Sequence, residues 1–367
     1  MSLIDLDMTS HRFAAFFRFA VTALFAVLSL QPAAQEEAAP TPAAPGKLWL
    51  TDADIILLRE RPFLTDALMQ RCKKEIDASA QPVAAFAPPP HYSAQGVTET
   101  KVSKRFAADG ELAWRAALCY TVSQDVRFAR HAQAVISAWA DTLQAVKSEQ
   151  GAAEINFDLP LYVLAASQVR GVDGWDDGAF RRLLTRVALP LSHSDRKNNH
   201  GNWGVFLEAA IAAYTGDAAL LDRARNRWLA LMDSQIDADG ALPLEICRSD
   251  TNDYCGGAHQ GINGLSYTHY TLLPTTAAAR LFDLAEHPVW QTPQGRKLAL
   301  AYRRAAAWTL HPEDFPYYES NDGHLNGVRN AAYFALLQRE YPNADGTQVL
   351  AKGRLGMNAL EWPALFP

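Results

Sequence analysis

From residue 50 onward, apolar residues recur at three- and four-residue spacing, and runs of β-branched alternation are nearly absent. That periodicity leaves one fold class, all-α. The spacing predicts helices over 55–79, 110–120, 127–146, 157–171, 180–191, 203–214, 218–236, 267–285, 295–309, 327–341 and 347–360. Two of the helix pairs are alike. Leu118-Cys119-Tyr120-Thr121, then Asp125, then a segment bearing Trp139 matches Ala212-Ala213-Tyr214-Thr215-Gly216-Asp217, then a segment bearing Trp228. In each, a helix ends in Tyr-Thr, turns at an Asp and returns with a Trp on its apolar face. A repeated helical hairpin stacks into an open solenoid or a closed α/α toroid. An open tetratricopeptide-like array keeps a strict period, and this chain does not. Long connections over 82–109, 238–266 and 311–325 favour a single toroid, whose loops at one end build a cleft.

The N-terminus reads differently. His11, Arg12 and Arg18 precede an apolar run over 19–30 and then Ala33-Ala34, the pattern of a secretion signal over 1–34. The run is too short to span a membrane comfortably. An Ala/Pro-rich linker follows over 35–48, leaving 49–367 as the toroid domain. The expectation is a periplasmic or secreted monomer with no membrane attachment once the signal is removed. Removing 1–34 deletes Asp5, Asp7, Arg12 and Arg18, so the formal charge of −6 is unchanged. No Lys/Arg cluster is interleaved with aromatics, which argues against a nucleic-acid partner. Four cysteines suit an oxidising compartment. Cys247 and Cys255 are spaced to close a short loop, while Cys72 and Cys119, in separate helical segments, read as buried apolar filler. No spacing matches a zinc site, so neither metal nor cofactor is expected.

One stretch concentrates unusual chemistry: Lys197-Asn198-Asn199-His200-Gly201-Asn202-Trp203-Gly204. It lies between two apolar helical segments and reads as a loop running into a helix start. Asn199 or Asn202 fits the capping position. Capping does not explain why amides, an imidazole and an indole share so short a run. An amide can donate to a carboxylate, His moves a proton near neutral pH, and Trp203 offers a flat face to a sugar ring. Together they suggest an acidic carbohydrate as partner.

The run Asn198-Asn199-His200-x-x-Trp203 resembles the Asn-Asn-His-x-x-Trp signature of the alginate lyases and related polyuronate lyases, which have α/α-toroid folds. A second block agrees: Leu242-Pro243-Leu244-Glu245-Ile246-Cys247-Arg248, then Ser266-Tyr267-Thr268-His269-Tyr270-Thr271-Leu272-Leu273-Pro274. Weaker helical similarity extends from Trp49 to Pro363. The resemblance implies an anionic polysaccharide substrate and β-elimination giving 4,5-unsaturated uronate ends, with mannuronate-rich alginate the first expectation. Such a reaction removes the C5 proton and breaks the C4–oxygen bond, so the uronate carboxylate must be neutralised and an acid and a base supplied. By resemblance, Asn199 and Arg248 take the carboxylate, Tyr267 removes the C5 proton and protonates the leaving oxygen, and His200 acts beside it.

Further substrate contacts are expected from Trp203, from Tyr92 and Lys104 in a lid-like loop over 82–109, from Asn156, and from Tyr318 and His324 in the third long loop. For Asn156 or Asp158 a helix cap is the leading alternative. Glu245 reads as a brace for Arg248 or His200, and His269 as structural. The chain departs from the better-known alginate lyases in one respect: Ser249–Ser266, Gly-rich and polar, separate Arg248 from Tyr267. Within that stretch His259 competes with His200 for the proton-handling role.

Three other functions are compatible with these residues. A glucuronan or broad polyuronate lyase would share the chemistry. An α/α-toroid glycoside hydrolase would need two opposed carboxylates, for which Glu245, Asp158 and Glu319 are available. A non-catalytic polysaccharide-binding protein would keep Trp203 and the cationic loop but have no use for Tyr267 and His200.

Overall fold

Helices dominate and are of two kinds, interior and surface. A computed structural model describes residues 48–91, 101–251, 253–327 and 331–352. The expected signal, almost all of the expected linker, and Tyr92 lie outside the described residues. Leu48, Trp49 and Leu50 are already in the core. In chain order the helices are α1 (Asp52–Arg59), α2 (Pro62–Glu75), α3 (Lys101–Ser123), α4 (Val126–Thr142), α5 (Glu149–Val169), α6 (Gly178–Leu183) and α7 (Asn199–Thr215). Then follow α8 (Ala218–Gln235), α9 (Pro243–Ile246), α10 (Gly264–Leu284), α11 (Pro293–Leu310), α12 (Phe334–Glu340) and α13 (Ala344–Ala351).

Four long helices, α3, α5, α7 and α10, pack side by side in that order. They are buried nearly all round; α7, for example, buries Gly201, Asn202, Trp203, Gly204, Val205, Phe206 and Leu207 in succession. A helix apolar on every side belongs in an interior. The outer helices bury one stripe. On α8 the stripe is Leu220, Ala224, Trp228, Leu231 and Met232, at three/four spacing, and α4 and α11 are similar. α4 backs α3, α8 backs α7, and α11 backs α8 and α10. Inner helices lined by outer partners make the α/α toroid that the sequence predicts.

The two matched hairpins are α3–α4 and α7–α8. In both, the Asp at the turn caps the returning helix: Asp125 accepts from the Arg127 N–H at 3.0 Å, and Asp217 from the Leu220 N–H at 2.9 Å. Helices α1 and α12 are tied to the inner helix α10. Asp54 on α1 is buried and pairs with both Arg280 on α10 and Arg339 on α12. Cys72 and Cys119 are not filler; they form a disulfide joining α2 to α3. Cys247 and Cys255 are also bonded.

Several boundaries differ from expectation for identifiable reasons. The segment over 55–79 is interrupted because Pro62 has no N–H to continue a helix and sits instead at the first turn of α2. α3 starts at Lys101, so the connection expected over 82–109 is shorter, and its residues 92–100 lie outside the described ones. Before it, Ala85–Phe86 pairs in parallel with Ala145–Val146 and seats Phe86 against Phe106 and Trp139.

Candidate active site

The Asn-Asn-His run occupies the first turn of α7 rather than a loop before it. Neither Asn199 nor Asn202 caps the helix, a correction to the sequence reading. The capping group comes from elsewhere in the chain. Glu245, on the one-turn helix α9, accepts from the Asn199 backbone N–H at 2.8 Å and from its Nδ2 at 2.9 Å. A carboxylate at a helix N-terminus meets both the open N–H groups and the positive end of the dipole. Glu245 is buried, and that burial pushes its carboxyl up to about 7 despite the Asn199 bonds and the Arg248 charge. Asn202 exchanges hydrogen bonds with Gln235 and donates to Thr275 at 2.8 Å, tying α7 to α8 and α10.

The two glycines of the run serve close approach. A Cβ on Gly204 would stand 2.2 Å from the Ser194 nitrogen, and one on Gly201 would stand 2.1 Å from the Arg196 carbonyl oxygen. The segment 192–196 therefore lies directly across the start of α7. It is clamped there by Arg227, which donates to the carbonyls of Ser194, Asp195 and Arg196. Glu208 holds it from the other side, accepting from the Ser192 and Ser194 hydroxyls at 2.6 Å each.

That segment carries His193, a residue for which the sequence held no signal. Its Nδ1 lies 3.3 Å from the Nδ1 of His200. Burial, then the charges of His193, Arg196 and Arg248, pull the His200 imidazole down to about 4, so it is neutral at physiological pH. Burial likewise lowers His193. Asn156 is the third member of this group and corrects another expectation. It is fully buried inside α5, where it neither caps nor lines a groove. Its Nδ2 donates to Ala152 and Leu191 carbonyls at 2.8 Å each, and its Oδ1 accepts from the His193 N–H at 2.9 Å. With both donors and the acceptor engaged, it positions His193. The cap of α5 is Ser148.

Arg248 follows Glu245 by one turn and is held through it, donating its backbone N–H to the Glu245 carbonyl. Tyr267 enters from the first turn of α10. Residues 249–263 fold back so that Asn263 donates its N–H to the Arg248 carbonyl at 3.0 Å and its Nδ2 to the Ser249 carbonyl at 2.9 Å. The insertion thus closes on itself and returns Tyr267 to Arg248. The guanidinium carbon lies 4.3 Å from the Tyr267 ring centroid and 3.7 Å from that of Tyr254, which the sequence reading left without a role. Arg248 is 6% exposed. Burial opposes its charge, but the Tyr267 and Tyr254 oxygens and Glu245 outweigh that and raise its pKa. Among the described residues its Nε and Nη1 have no hydrogen-bond partner, and neither does the Asn199 Oδ1.

The other expected contacts are placed less centrally. Trp203 is 5% exposed and packs on Phe157, Tyr270 and Phe206, so it is core and not an open sugar platform. Lys104 is exposed on the first turns of α3, on a helix rather than a loop. Tyr318 is half-buried against a small apolar cluster with Trp308 and Phe315, while His324 is exposed in the turn that follows. His259 is exposed and paired with Asp250 at 3.1 Å within the insertion. His269 is structural, bridging Thr309 and Tyr333 at 2.8 and 3.0 Å. Of the carboxylates considered for an opposed pair, Glu245 has both oxygens engaged by Asn199. Among the described residues no group of three or more His, Cys, Asp or Glu side chains is gathered to hold a metal ion.

Asn199, His200, Arg248 and Tyr267 are therefore joined through Glu245 and the folded insertion. A guanidinium with two open N–H groups, a neutral imidazole and a phenol are what is needed to hold an anion and move a proton beside it.

The family model described as alginate lyase matches residues 64–315. No match is found among curated proteins. Among solved structures the chain is similar to an alginate lyase from Bacteroides ovatus, with TM-score 0.64 and 13% identity over 88% of this chain and 99% of that one. It is similar also to alginate lyase A1-III from Sphingomonas species A1, with TM-score 0.62 and 13% identity over 86% of this chain and 94% of that one. A variant of A1-III complexed with a tetrasaccharide gives TM-score 0.61 and 14% identity over 81% of this chain and 88% of that one. At such identity these likenesses speak for the fold.

Proposed function

The chain belongs to the alginate lyase family and is a polysaccharide lyase acting on an anionic polysaccharide; from that premise we propose that it cleaves mannuronate-rich alginate by β-elimination at Asn199, His200, Arg248 and Tyr267. The observation that carries this reading is Arg248. Burying a guanidinium with two N–H groups unpaired is costly, and the cost is explained if a substrate carboxylate completes the site. In this reading the Asn199 amide, fixed by Glu245, shares that carboxylate through the second N–H of its Nδ2.

With the carboxylate neutralised, the C5–H bond breaks and its electron pair builds an enolate-like dianion, which Arg248 and Asn199 stabilise. The pair then forms the C4–C5 double bond as the C4–oxygen bond breaks and the leaving oxygen takes up a proton. In mannuronate the C5 hydrogen and the C4 oxygen lie on one face, so the Tyr267 oxygen can take the first proton and return it to the leaving oxygen. His200, neutral at physiological pH, would serve as a further proton acceptor. In guluronate the two groups lie on opposite faces and His200 would have to act as the base.

The protein is proposed to work outside the cytoplasm, in the periplasm or after secretion. The signal-like N-terminus and the two disulfides support this.

The test is ultraviolet absorbance during incubation of residues 36–367 with polymannuronate, polyguluronate and glucuronan in parallel. Elimination leaves a conjugated double bond that absorbs where the substrates do not. The expected result is a rise fastest on polymannuronate and reduced about 1,000-fold or more in Tyr267→Phe. No rise on any of the three polymers by a folded sample would sink the proposal. A fastest rise on glucuronan would reassign the substrate.

A further inference from the structure

Tyr254 has no role in the reaction as described, yet three attachments fix it. It is carried on the loop closed by the Cys247–Cys255 disulfide, next to the second cysteine. Its carbonyl accepts from the Ser249 N–H at 2.7 Å, and its hydroxyl accepts from the Asn198 Nδ2 at 2.8 Å. Its backbone stands in the left-handed region, at φ +60°, which side chains other than Gly, Asn and Asp seldom adopt. The result is a large aromatic ring, half of it open to solvent, with the Arg248 guanidinium 3.7 Å from its centroid.

A ring surface loses little by turning to solvent and back, so loop closure alone does not account for this arrangement. What it does is join two segments. The ring meets the residue assigned to the substrate carboxylate. The hydroxyl meets the residue before Asn199 and His200. A guanidinium on a flexible stem has many rotamers, and contact with an aromatic face removes most of them; here it leaves Nε and Nη1 without a partner among the described residues.

We propose that Tyr254 is a positioning residue that holds the Arg248 guanidinium against its ring and in register with Asn199 to receive the uronate carboxylate. The loop insertion is thereby part of the working site and not a decoration of the cleft rim. This inference rests on the reading that Arg248 binds the carboxylate.

The experiment compares wild type, Tyr254→Ala, Tyr254→Phe and Arg248→Ala on polymannuronate, with kcat and KM from the absorbance assay and thermal unfolding of each. In Tyr254→Ala, kcat/KM is expected to fall about 100-fold, the scale on which misplacing a substrate-binding group acts. Tyr254→Phe keeps the ring and loses only the bond to Asn198, so it is expected to recover most of that loss. Both should unfold near the wild-type midpoint, since the side chain is half exposed. The double variant Cys247→Ser with Cys255→Ser frees the loop and should lower kcat/KM in the same direction. Tyr254→Ala at wild-type rate, or faster, would overturn the proposal; a faster rate would mean that the ring only covers Arg248. A Phe variant as impaired as the Ala variant would overturn it too. If wild type cleaves the polymer but Arg248→Ala does so equally well, the carboxylate assignment fails instead, and inactive wild type removes the lyase reading beneath both.

Discussion

His193 and His200 face each other Nδ1 to Nδ1 at 3.3 Å, and one proton in that gap serves one donor only. If His200 holds it, the His200 Nε2 carries a bare lone pair and can accept a proton. If His193 holds it, His200 must carry its own proton on Nε2 and can only donate. His193 thus fixes which task is open to His200. His193→Ala is expected to lower kcat/KM about tenfold or more, the usual effect of removing a partner that orients a working imidazole. Steady-state kinetics on polymannuronate checks it, and an unimpaired His193→Ala would dismiss the coupling.

The pH dependence of stability should contain two opposed contributions. Glu245 is pushed up from 4.5 to about 7, so in that interval the folded chain keeps a proton that the unfolded chain has lost. Its contribution to stability therefore declines as pH rises from 4.5 to about 7. His200 is drawn down from 6.5 to about 4, so there the unfolded chain is the one that binds the extra proton. Stability from His200 is full above 6.5 and is lost as pH falls toward 4. In wild type the two offset. Glu245→Gln should expose a stability that rises from pH 4 to 6.5, and His200→Gln one that falls from pH 4.5 to 7. Each slope should amount to about 3 kcal/mol across its window, read by urea unfolding at a series of pH values.

Gly204→Ala should disable the enzyme without touching any reacting group. The added Cβ would stand 2.2 Å from the Ser194 nitrogen, so the clamped segment that carries His193 must move. A loss of about 1–3 kcal/mol in stability is expected, together with a fall in activity at least as large as that of His193→Ala. An active, fully stable Gly204→Ala would show that the segment can yield.

Trp203→Phe separates a core residue from a sugar platform. Because Trp203 packs on Phe157, Tyr270 and Phe206, the smaller ring should cost about 1–3 kcal/mol in stability and leave KM nearly unchanged. A large rise in KM in a stable variant would restore the platform reading.

The Cys72–Cys119 disulfide should matter for stability alone. It closes a long stretch of chain between α2 and α3, far in sequence from the reacting residues. Replacing both cysteines with Ala should lower stability by about 2–4 kcal/mol and leave kcat/KM at moderate temperature as it was.

Much of the candidate site was legible before any fold was known. Asn199, His200, Arg248 and Tyr267 stand in two blocks whose order matches the family signature, and the fold brings them together. Their supports were not legible. His193 sits in a stretch with no helical period, and its meaning depends on a crossing over α7 that Gly201 and Gly204 permit. Tyr254 sits in an insertion with no counterpart in the signature, and its ring is given meaning only by where the loop returns. Trp203 and Asn156 show the complementary limit. Polar or aromatic residues beside a motif suggest contact with substrate, whereas here the neighbouring helices had already taken up every polar group of Asn156 and most of the Trp203 surface.

The sequence by itself determined the helices, the paired hairpins and the kind of chemistry, because apolar spacing, capping Asp residues and side-chain reactivity are properties of the local chain. Which groups touch, which carboxylate caps α7, how the His200 proton is held and which ring lies on Arg248 were decided only by the tertiary structure. Those depend on segments tens of residues apart meeting in a buried space, where packing and desolvation, not local preference, set the outcome.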